Sequence, residues 1–300
     1  MQSHSGEVLC VAVSSDGKYI AAGGRDKLVR VFDKRTLTEV KALSGHRDAV
    51  TCLAFRRDSS SLYSGSLDRC IKHWDMNEMG YLETLFGHQD GVTAMDCWLK
   101  EKPVTSSVDR TVRVWKVAEE SHLVFRGHKC CVDNVQYLTA DHYASSGQDG
   151  SLCMWTDTQK KPVASVAAAH GMESPGTPRW ISAMASLKIS DLLVTGSHDG
   201  HLRFWKADTE KRSVDAMAQW RTNDCFINGI AVSSRLVVVG TGSEHRLGRW
   251  WRVKGAKNRV EIFKLPDSIA EASSYKAETL SASSSESDES DGSGDYEEDN

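Results

Sequence analysis

Residues 45–74, GHRDAVTCLAFRRDSSSLYSGSLDRCIKHW, decide the fold, because the same pattern returns along the chain in modified form. The stretch begins with a Gly-His pair, continues through the apolar run AVTCLAF, and ends with an Asp six positions before a Trp. Short apolar runs that alternate with polar residues and are bounded by Gly, Ser and Asp indicate β-strands joined by turns. We therefore interpret residues 45–74 as one unit of a repeated, all-β structure.

Two marks of this unit recur at nearly constant spacing. Gly-His pairs stand at 45–46, 87–88 and 127–128, with His4 and His170 in weaker copies, so the histidines are 42, 42, 40 and 42 residues apart. In a sixth copy of the second mark, His245 stands in place of the Asp and Trp251 keeps the spacing. The five regular copies, each an Asp six positions before an aromatic residue, are Asp26 and Phe32, Asp68 and Trp74, Asp109 and Trp115, Asp149 and Trp155, and Asp199 and Trp205.

A period of about 40–45 residues with Gly-His and Trp marks resembles the WD40 repeat, in which each copy forms a four-stranded blade of a β-propeller. The resemblance extends over roughly residues 4–265. It implies an all-β WD40 propeller domain over residues 1–265, with six four-stranded blades visible. The last strand is expected at residues 260–265, where it would complete the sixth blade.

In WD40 proteins the Gly-His loop and the Asp turn meet at one end of a blade, where His, Asp, a strand Ser or Thr and the Trp indole form a hydrogen-bonded chain. Such buried polar groups persist when every member has a partner. Because His198 and His201 flank the turn residue Asp199, we predict neither a metal site nor a catalytic site there, and no cofactor. The resemblance assigns a structural role to His46, Asp68, Trp74, His88, Asp109, Trp115, His128, Asp149, Trp155, Asp199, Trp205 and Trp251.

Charge is distributed unevenly along the chain. The formal charge is −4, but residues 281–300 contain eight acidic and no basic residues, so the other 280 residues have a charge of +4. Residues 266–300 form a Ser-rich, acidic tail that we predict to be disordered. No apolar run approaches the roughly 20 residues that span a bilayer, and the eight cysteines lack a C-x-x-C pair. We expect a soluble intracellular protein with reduced cysteines.

Cationic residues stand beside the Gly-His and Asp marks, which lie at one end of a WD40 propeller. A basic loop face suits a polyanion, because the guanidinium fork matches phosphate groups and base edges. The same charges equally suit the solvated rim of a protein-binding propeller. An insertion at residues 171–179 adds to this face, where it is either part of the binding side or a tolerated surface loop. The candidate binding residues on this face are Arg25, Lys27, Arg47, Arg69, Arg110, Lys129, Arg179, His245 and Arg246.

Several segments between the marks resemble a narrower family, the WD-repeat proteins of the U3 small nucleolar ribonucleoprotein. They include VLCVAVSSDGKYIAAGGRDKLV (8–29), DRTVRVWKVAEESHLVFRGH (109–128) and GSEHRLGRWWRVKGAKNRV (242–260). The string EHRLGRWWR is the most specific, since it is not a propeller consensus and falls where an Asp turn is expected. The resemblance makes His245 and Arg246 exposed candidates for RNA or partner contact, assigns Trp251 to the blade core, and leaves Arg249 open to either role.

This resemblance implies a non-enzymatic nucleolar protein that recognises the box B/C region of U3 snoRNA together with a kink-turn-binding protein. Its other partners would be U3 ribonucleoprotein and small-subunit processome proteins, in early processing of pre-ribosomal RNA, with no membrane or small-molecule substrate. The family has seven repeats and this chain resembles it from the second onward, so we expect an N-terminal truncation and a ring that is either open or closed with six blades. The alternative function is a WD40 protein-interaction scaffold or substrate-recognition subunit, whose binding need not weaken steeply with salt.

Overall fold

The computed structural model describes residues 4–188, 190–222, 225–245, 248–266 and 269, without the side chains of residues 249–251. The tail that the composition predicts to be disordered therefore lies outside the described residues, apart from residues 266 and 269. The described chain is built from β-strands and one short 3-10 turn, Val117–Glu119. It confirms the prediction of an all-β propeller with six blades.

Five blades share one build, in which four antiparallel strands follow one another in chain order and are joined by short turns. Val, Ile, Thr and aromatic residues favour the strands, while Gly, Asp and Ser favour the turns. The strands are β1 (Val8–Val13), β2 (Tyr19–Gly24), β3 (Val29–Asp33) and β4 (Glu39–Leu43) in the first blade; β5 (Val50–Phe55), β6 (Ser61–Ser66), β7 (Ile71–Asp75) and β8 (Gly80–Leu85) in the second; β9 (Val92–Asp96), β10 (Val104–Ser107), β11 (Thr111–Lys116) and β12 (Ser121–Arg126) in the third; β13 (Val132–Tyr137), β14 (His142–Gly147), β15 (Leu152–Thr156) and β16 (Gln159–Val166) in the fourth; and β19 (Ile181–Ser186), β20 (Leu192–Ser197), β21 (His201–Asp208) and β22 (Ser213–Arg221) in the fifth.

The apolar core lies between successive blades. Trp74 of the second blade is buried against Val29 and Val31 of the first, and Trp155 of the fourth against residues of the third. Burying one such large side chain contributes roughly 1.5–3 kcal/mol. Side-chain hydrogen bonds add to this packing, since the Ser182 hydroxyl donates to the carbonyl oxygen of Ile227 in the next blade at 2.7 Å. Each blade therefore depends on its neighbour for stability.

The sixth blade departs from the pattern that the sequence predicts. Its described strands number three instead of four, and a separate two-stranded hairpin interrupts them. A second hairpin, formed by the insertion between the fourth and fifth blades, consists of β17 (Met172–Ser174) and β18 (Thr177–Pro178). The sixth blade consists of β23 (Phe226–Val232), β24 (Leu236–Gly242) and β27 (Arg259–Lys264). The interrupting hairpin consists of β25 (Glu244–His245) and β26 (Gly248–Arg252).

Strand β27 is the third strand of this blade, so the prediction of a fourth strand at residues 260–265 is wrong. It pairs directly with β24, and Phe263 stands opposite Val237 as Trp74 stands opposite Leu62 in the second blade. Strand β26, which contains Trp251, pairs with β25 outside the blade sheet, so the backbone of Trp251 does not take the blade-tryptophan position; its predicted place in the core concerns a side chain outside the described residues. The pairing with β27 is favoured because it brings Phe263 against Trp220 of the fifth blade.

Among the described residues, the ring is open beside strand β1. In the second blade the corresponding innermost strand, β5, has five of its six residues buried between neighbouring blades. Strand β1 instead exposes Val8, Val11 and Val13, with 60% of Val11 accessible. On the sixth blade, Val260 and Ile262 are also exposed, on the face of β27 opposite to Phe263. Within the described residues, these two surfaces are not covered by a neighbouring blade.

Candidate nucleic-acid interface

Each Gly-His loop is tied to the Asp turn of its own blade by a chain of buried hydrogen bonds. In the second blade, Nδ1 of His46 lies 2.9 Å from a carboxylate oxygen of Asp68, and Nε2 lies 2.8 Å from the hydroxyl of Ser64. The indole N–H of Trp74 donates to the same hydroxyl at 2.8 Å. The backbone N–H of Arg47 donates to Asp68 at 2.8 Å. These bonds fix the loop and the turn against each other at one end of the blade.

The same arrangement recurs around the propeller. Nδ1 of the loop histidine lies 2.8 to 3.3 Å from the turn aspartate in the third, fourth and fifth blades. In the first blade His4 lies 2.9 Å from Asp26, and Phe32 takes the tryptophan position. The remaining members of these chains are His88, Thr105, Asp109 and Trp115; His128, Ser145, Asp149 and Trp155; and His170, Thr195, Asp199 and Trp205. We call the end of the propeller that carries these loops and turns the loop face.

The aspartates of the loop face are charged at neutral pH, but their charge is engaged within the blades. Burial alone would raise the pKa of the Asp68 carboxyl, whereas hydrogen bonds from His46 and from the N–H groups of Arg47 and Cys70 lower it to about 2. Opposing burial in the same way, hydrogen bonds from the loop histidines lower the pKa of Asp109 and Asp149. These carboxylates are therefore poorly available to an external cation.

Five of the predicted cationic residues are exposed on the loop face. Three of them directly follow the turn aspartate and have left-handed backbone conformations, with φ of 66° at Lys27, 70° at Arg69 and 65° at Arg110. The others, Arg47 and Lys129, follow the loop histidine and are also exposed. In the described part of the chain, none of these five side chains forms a hydrogen bond or ion pair. Their charged groups are available to an anionic partner.

Two other predicted arginines are already engaged. Nε of Arg25 lies 2.6 Å from a carboxylate oxygen of Glu7. Arg179, in the insertion between the fourth and fifth blades, is half-buried, and Nη1 donates to the carbonyl oxygen of His170 at 3.5 Å. An anion would have to compete with these contacts, so both residues are weaker candidates than the five free cations.

The prediction that His245 is exposed is wrong, since only 4% of the residue is accessible. Its ring centroid lies 4.4 Å from that of Trp180 and 6.1 Å from that of Phe226. The indole N–H of Trp180 in turn donates to Asp133 at 2.5 Å. His245 therefore packs the hairpin of β25 and β26 onto the start of the fifth and sixth blades. Trp180 falls outside the repeat spacing, so the sequence pattern gave no sign of this contact.

The hairpin of β25 and β26 lies at the open side of the ring. The side-chain amide of Asn228 donates to the carbonyl oxygen of Glu244 at 2.7 Å, which ties the hairpin to the sixth blade. A recess of about 420 Å³ separates the hairpin from the first blade and is lined by Val8, Arg25 and Gly248. Arg246 lies outside the described residues, and of Arg249 only the backbone, within β26, is described.

A recess on the loop face lies between the second and third blades. It has a volume of about 670 Å³ and is lined by Arg47, Arg69 and Phe86 among other residues. Phe86 is 71% exposed and directly precedes the Gly-His pair of the third blade. Phe86 was not among the predicted candidates. A signal was available, since Ser44 and Arg126 at the matching positions show that an apolar residue here is not part of the repeat pattern.

The described residues give no sign of a metal centre or a membrane-spanning helix. Among them, no three His, Cys, Asp or Glu side chains are grouped as metal ligands. Nor does the described part include a helix long and apolar enough to cross a bilayer.

A propeller with these blades and hydrogen-bonded loops defines the class of protein. The profile of the WD40 family, described as "WD domain, G-beta repeat", matches residues 1–33, 37–75, 80–116, 119–156 and 172–206. The chain therefore belongs to the WD40 repeat family, as the repeat spacing predicts.

Within that family, the chain is similar to proteins named for U3 RNA. It is 44% identical over 268 residues to mouse (Mus musculus) U3 small nucleolar RNA-interacting protein 2 and 45% identical over 268 residues to the human (Homo sapiens) protein of that name. Each match covers 87% of this chain but 56% of the relative, so the chain spans little more than half the length of these relatives. A solved structure described as "Structure of U3-55K" superposes with a TM-score of 0.85 at 45% identity, covering 87% of this chain and 82% of that one.

Proposed function

We propose that this chain is a non-enzymatic RNA-binding propeller of the U3 small nucleolar ribonucleoprotein. It would recognise the box B/C region of U3 snoRNA together with a kink-turn-binding protein, within the small-subunit processome in the nucleolus. There it would serve the processing of pre-ribosomal RNA. The names of the mouse and human relatives and the identity of about 45% support the proposal.

The observation that carries the proposal is the set of five free cations on the loop face. Lys27, Arg47, Arg69, Arg110 and Lys129 are exposed without engaged charged groups, whereas the aspartates beside them are held inside the blades. An RNA backbone gains most from cations that have no ion pair to give up, because phosphate contacts release condensed counterions.

Within the hairpin, the residues divide into two roles. His245 positions the hairpin by packing on Trp180 and Phe226, so it would act on RNA only indirectly. Arg246 and Arg249 are the proposed contact residues, since arginine can both bind phosphate and stack on unpaired bases. This assignment changes the role that the sequence alone gave to His245.

Affinity for a U3 box B/C stem carrying its kink-turn-binding protein, measured over a series of salt concentrations, tests the proposal. We expect Arg246→Gln and Arg47→Gln each to weaken binding and to reduce the slope of log affinity against log salt by about 0.7–0.9. Arg35→Gln is the matched control, because Arg35 is exposed in the β3–β4 turn, at the opposite end of the blade from Lys27.

The human relative serves as the positive control for the RNA. If it binds and this chain does not, or if the affinity of this chain does not depend on salt, the RNA-binding proposal fails. A protein-interaction scaffold would then account better for the loop face.

A further inference from the structure

The recess between the second and third blades combines an exposed aromatic ring with free guanidinium groups. Phe86 follows strand β8 and borders both this recess and a second one of about 310 Å³ beside the third blade. With 71% of the residue accessible, the ring forms no aromatic contact among the described residues. A single exposed apolar residue is common on protein surfaces. Its position beside Arg47 and Arg69 is what distinguishes Phe86.

The charged groups that line this recess differ in their availability. Lys72 donates to the hydroxyl of Thr84 at 2.9 Å and lies 4.8 Å from the ring centroid of Tyr81. Asp68 is held by His46 and the Arg47 N–H, and Asp48 accepts from the backbone N–H of Ala49 at 2.8 Å. Only Arg47 and Arg69 present charged side-chain groups with no described partner. Asp48 is exposed and keeps its charge, so three cations stand against the carboxylates of Asp48 and Asp68, and the net formal charge of the lining is +1.

The backbone conformation of Arg69 also favours a functional role for its side chain. Its φ of 70° is the left-handed conformation that Gly150 and Gly200 adopt at the same turn position in the fourth and fifth blades. A side chain at such a position costs about 1 kcal/mol relative to glycine. The turn beside the recess therefore holds a cation where glycine would be less strained.

We propose that this recess binds one unpaired nucleotide of the RNA, with its base stacked on Phe86 and its phosphates at Arg47 and Arg69. The inference rests on the proposed RNA-binding function and deepens it. Stacking on a side chain requires a base that is not already stacked in a helix, which selects a single-stranded or bulged nucleotide. The recess is open, and Leu67 and Phe86 are its main apolar side chains, which suits a nucleotide better than the closed apolar pocket of a protein hot spot.

The test compares Phe86→Leu with Phe86→Tyr in binding to complete U3 snoRNA. Leucine keeps the apolar character but removes the ring, whereas tyrosine keeps the stacking surface. Because base stacking on an aromatic side chain contributes about 1–3 kcal/mol, we expect Phe86→Leu to weaken binding about tenfold and Phe86→Tyr to bind like the wild type. Leu82→Ala is the control, since Leu82 is also an exposed apolar residue, in the preceding strand, but lines neither recess.

The salt dependence separates stacking from charge. Removal of the ring should leave the slope of log affinity against log salt unchanged, while Arg69→Gln should reduce it by about 0.7–0.9. In addition, 4-thiouridine in the RNA should cross-link to the tryptic peptide of residues 73–100, which contains Phe86, and Phe86→Leu should lower that yield.

The possible results are distinguishable. If the wild type binds U3 snoRNA and Phe86→Leu binds equally well, the nucleotide site is overturned while the proposed function stands. If Phe86→Leu loses binding to a U3 ribonucleoprotein protein but not to RNA, the recess is a protein site and the inference is also overturned. If the wild type binds no RNA, both the inference and the proposed function fail.

Discussion

His46, Asp68, Ser64 and Trp74 show how single residues connect the repeat to its stability. Each polar atom in this chain of hydrogen bonds has a partner, and the ring of His46 is almost fully inaccessible. Loss of one member leaves the others buried without a partner, which costs more than the net value of a typical hydrogen bond.

We expect Asp68→Ala to lower the free energy of unfolding by about 3 kcal/mol, because it strands His46 and the N–H groups of Arg47 and Cys70. Urea denaturation followed by circular dichroism measures this change. Asp141→Ala is the control: its carboxylate is 56% exposed and lies 3.6 Å from Lys100, so the change should be within about 0.5 kcal/mol. Equal effects of the two substitutions would contradict the prediction.

The low pKa of Asp68 also predicts how stability depends on pH. The folded-state pKa of about 2 lies below the usual aspartate pKa of 3.8, so folding favours the charged form. The resulting stabilisation, on the order of 2 kcal/mol, is fully present above pH 4 and is lost as pH falls toward 2. We expect Asp68→Asn to lose less stability than the wild type between pH 5 and pH 2. Urea denaturation at a series of pH values measures this, and parallel stability profiles for the wild type and Asp68→Asn would contradict the prediction.

At the scale of elements, the sixth blade shows that a repeat mark can be displaced by an insertion. Strand β27 supplies the pairing with β24 and the aromatic residue Phe263, while the hairpin of β25 and β26 leaves the sheet. Val239 of β24 stands opposite Glu261, where Ser64 stands opposite Lys72 in the second blade. The sixth blade therefore has no strand hydroxyl at this position and depends on apolar packing.

We expect Phe263→Ala to lower the free energy of unfolding by about 2 kcal/mol, because Phe263 packs against Trp220 and the core of the fifth and sixth blades. Val260→Ala on the same strand is the control. Since Val260 is 71% exposed, its truncation should change stability by less than about 0.5 kcal/mol. Thermal and urea unfolding both report these changes, and a larger effect for Val260→Ala than for Phe263→Ala would contradict the prediction.

At the scale of the whole molecule, the open ring leaves apolar strand surface exposed. Val8, Val11 and Val13 on β1, and Val260 and Ile262 on β27, are accessible in the described structure. Contiguous exposed apolar residues on strands favour association with another chain. The loop face lies at one end of the blades, so association through β1 need not cover its free cations.

We expect this chain to self-associate with increasing concentration and Val11→Asp to reduce that association, because a charge on β1 opposes burial of its apolar face. Sedimentation velocity over a range of protein concentrations measures the effect. Leu82→Asp introduces the same charge at an exposed site on the second blade, away from β1, and should leave association unchanged. A wild-type chain that stays monomeric throughout, or equal effects of both substitutions, would refute the prediction.

The sequence by itself determined the fold class and the number of blades, which follow from the spacing of the repeat. Its resemblance to WD40 repeats implied the hydrogen-bonded chains that join His46 to Asp68 and Trp74, because all members of a chain lie within one repeat. The exposure of Arg47, Arg69 and Arg110 could be predicted for the same reason, since each stands next to a fixed mark.

The tertiary structure alone decided the burial of His245, the place of Trp251 and the exposure of Phe86. His245 is buried by Trp180 and Phe226, which come from different blades and follow no common spacing. Trp251 keeps the repeat spacing, yet pairing of β24 with β27 excludes its strand from the blade. Local periodicity identifies strands and turns, but the choice among competing strand pairs and contacts between blades depends on packing over the whole ring.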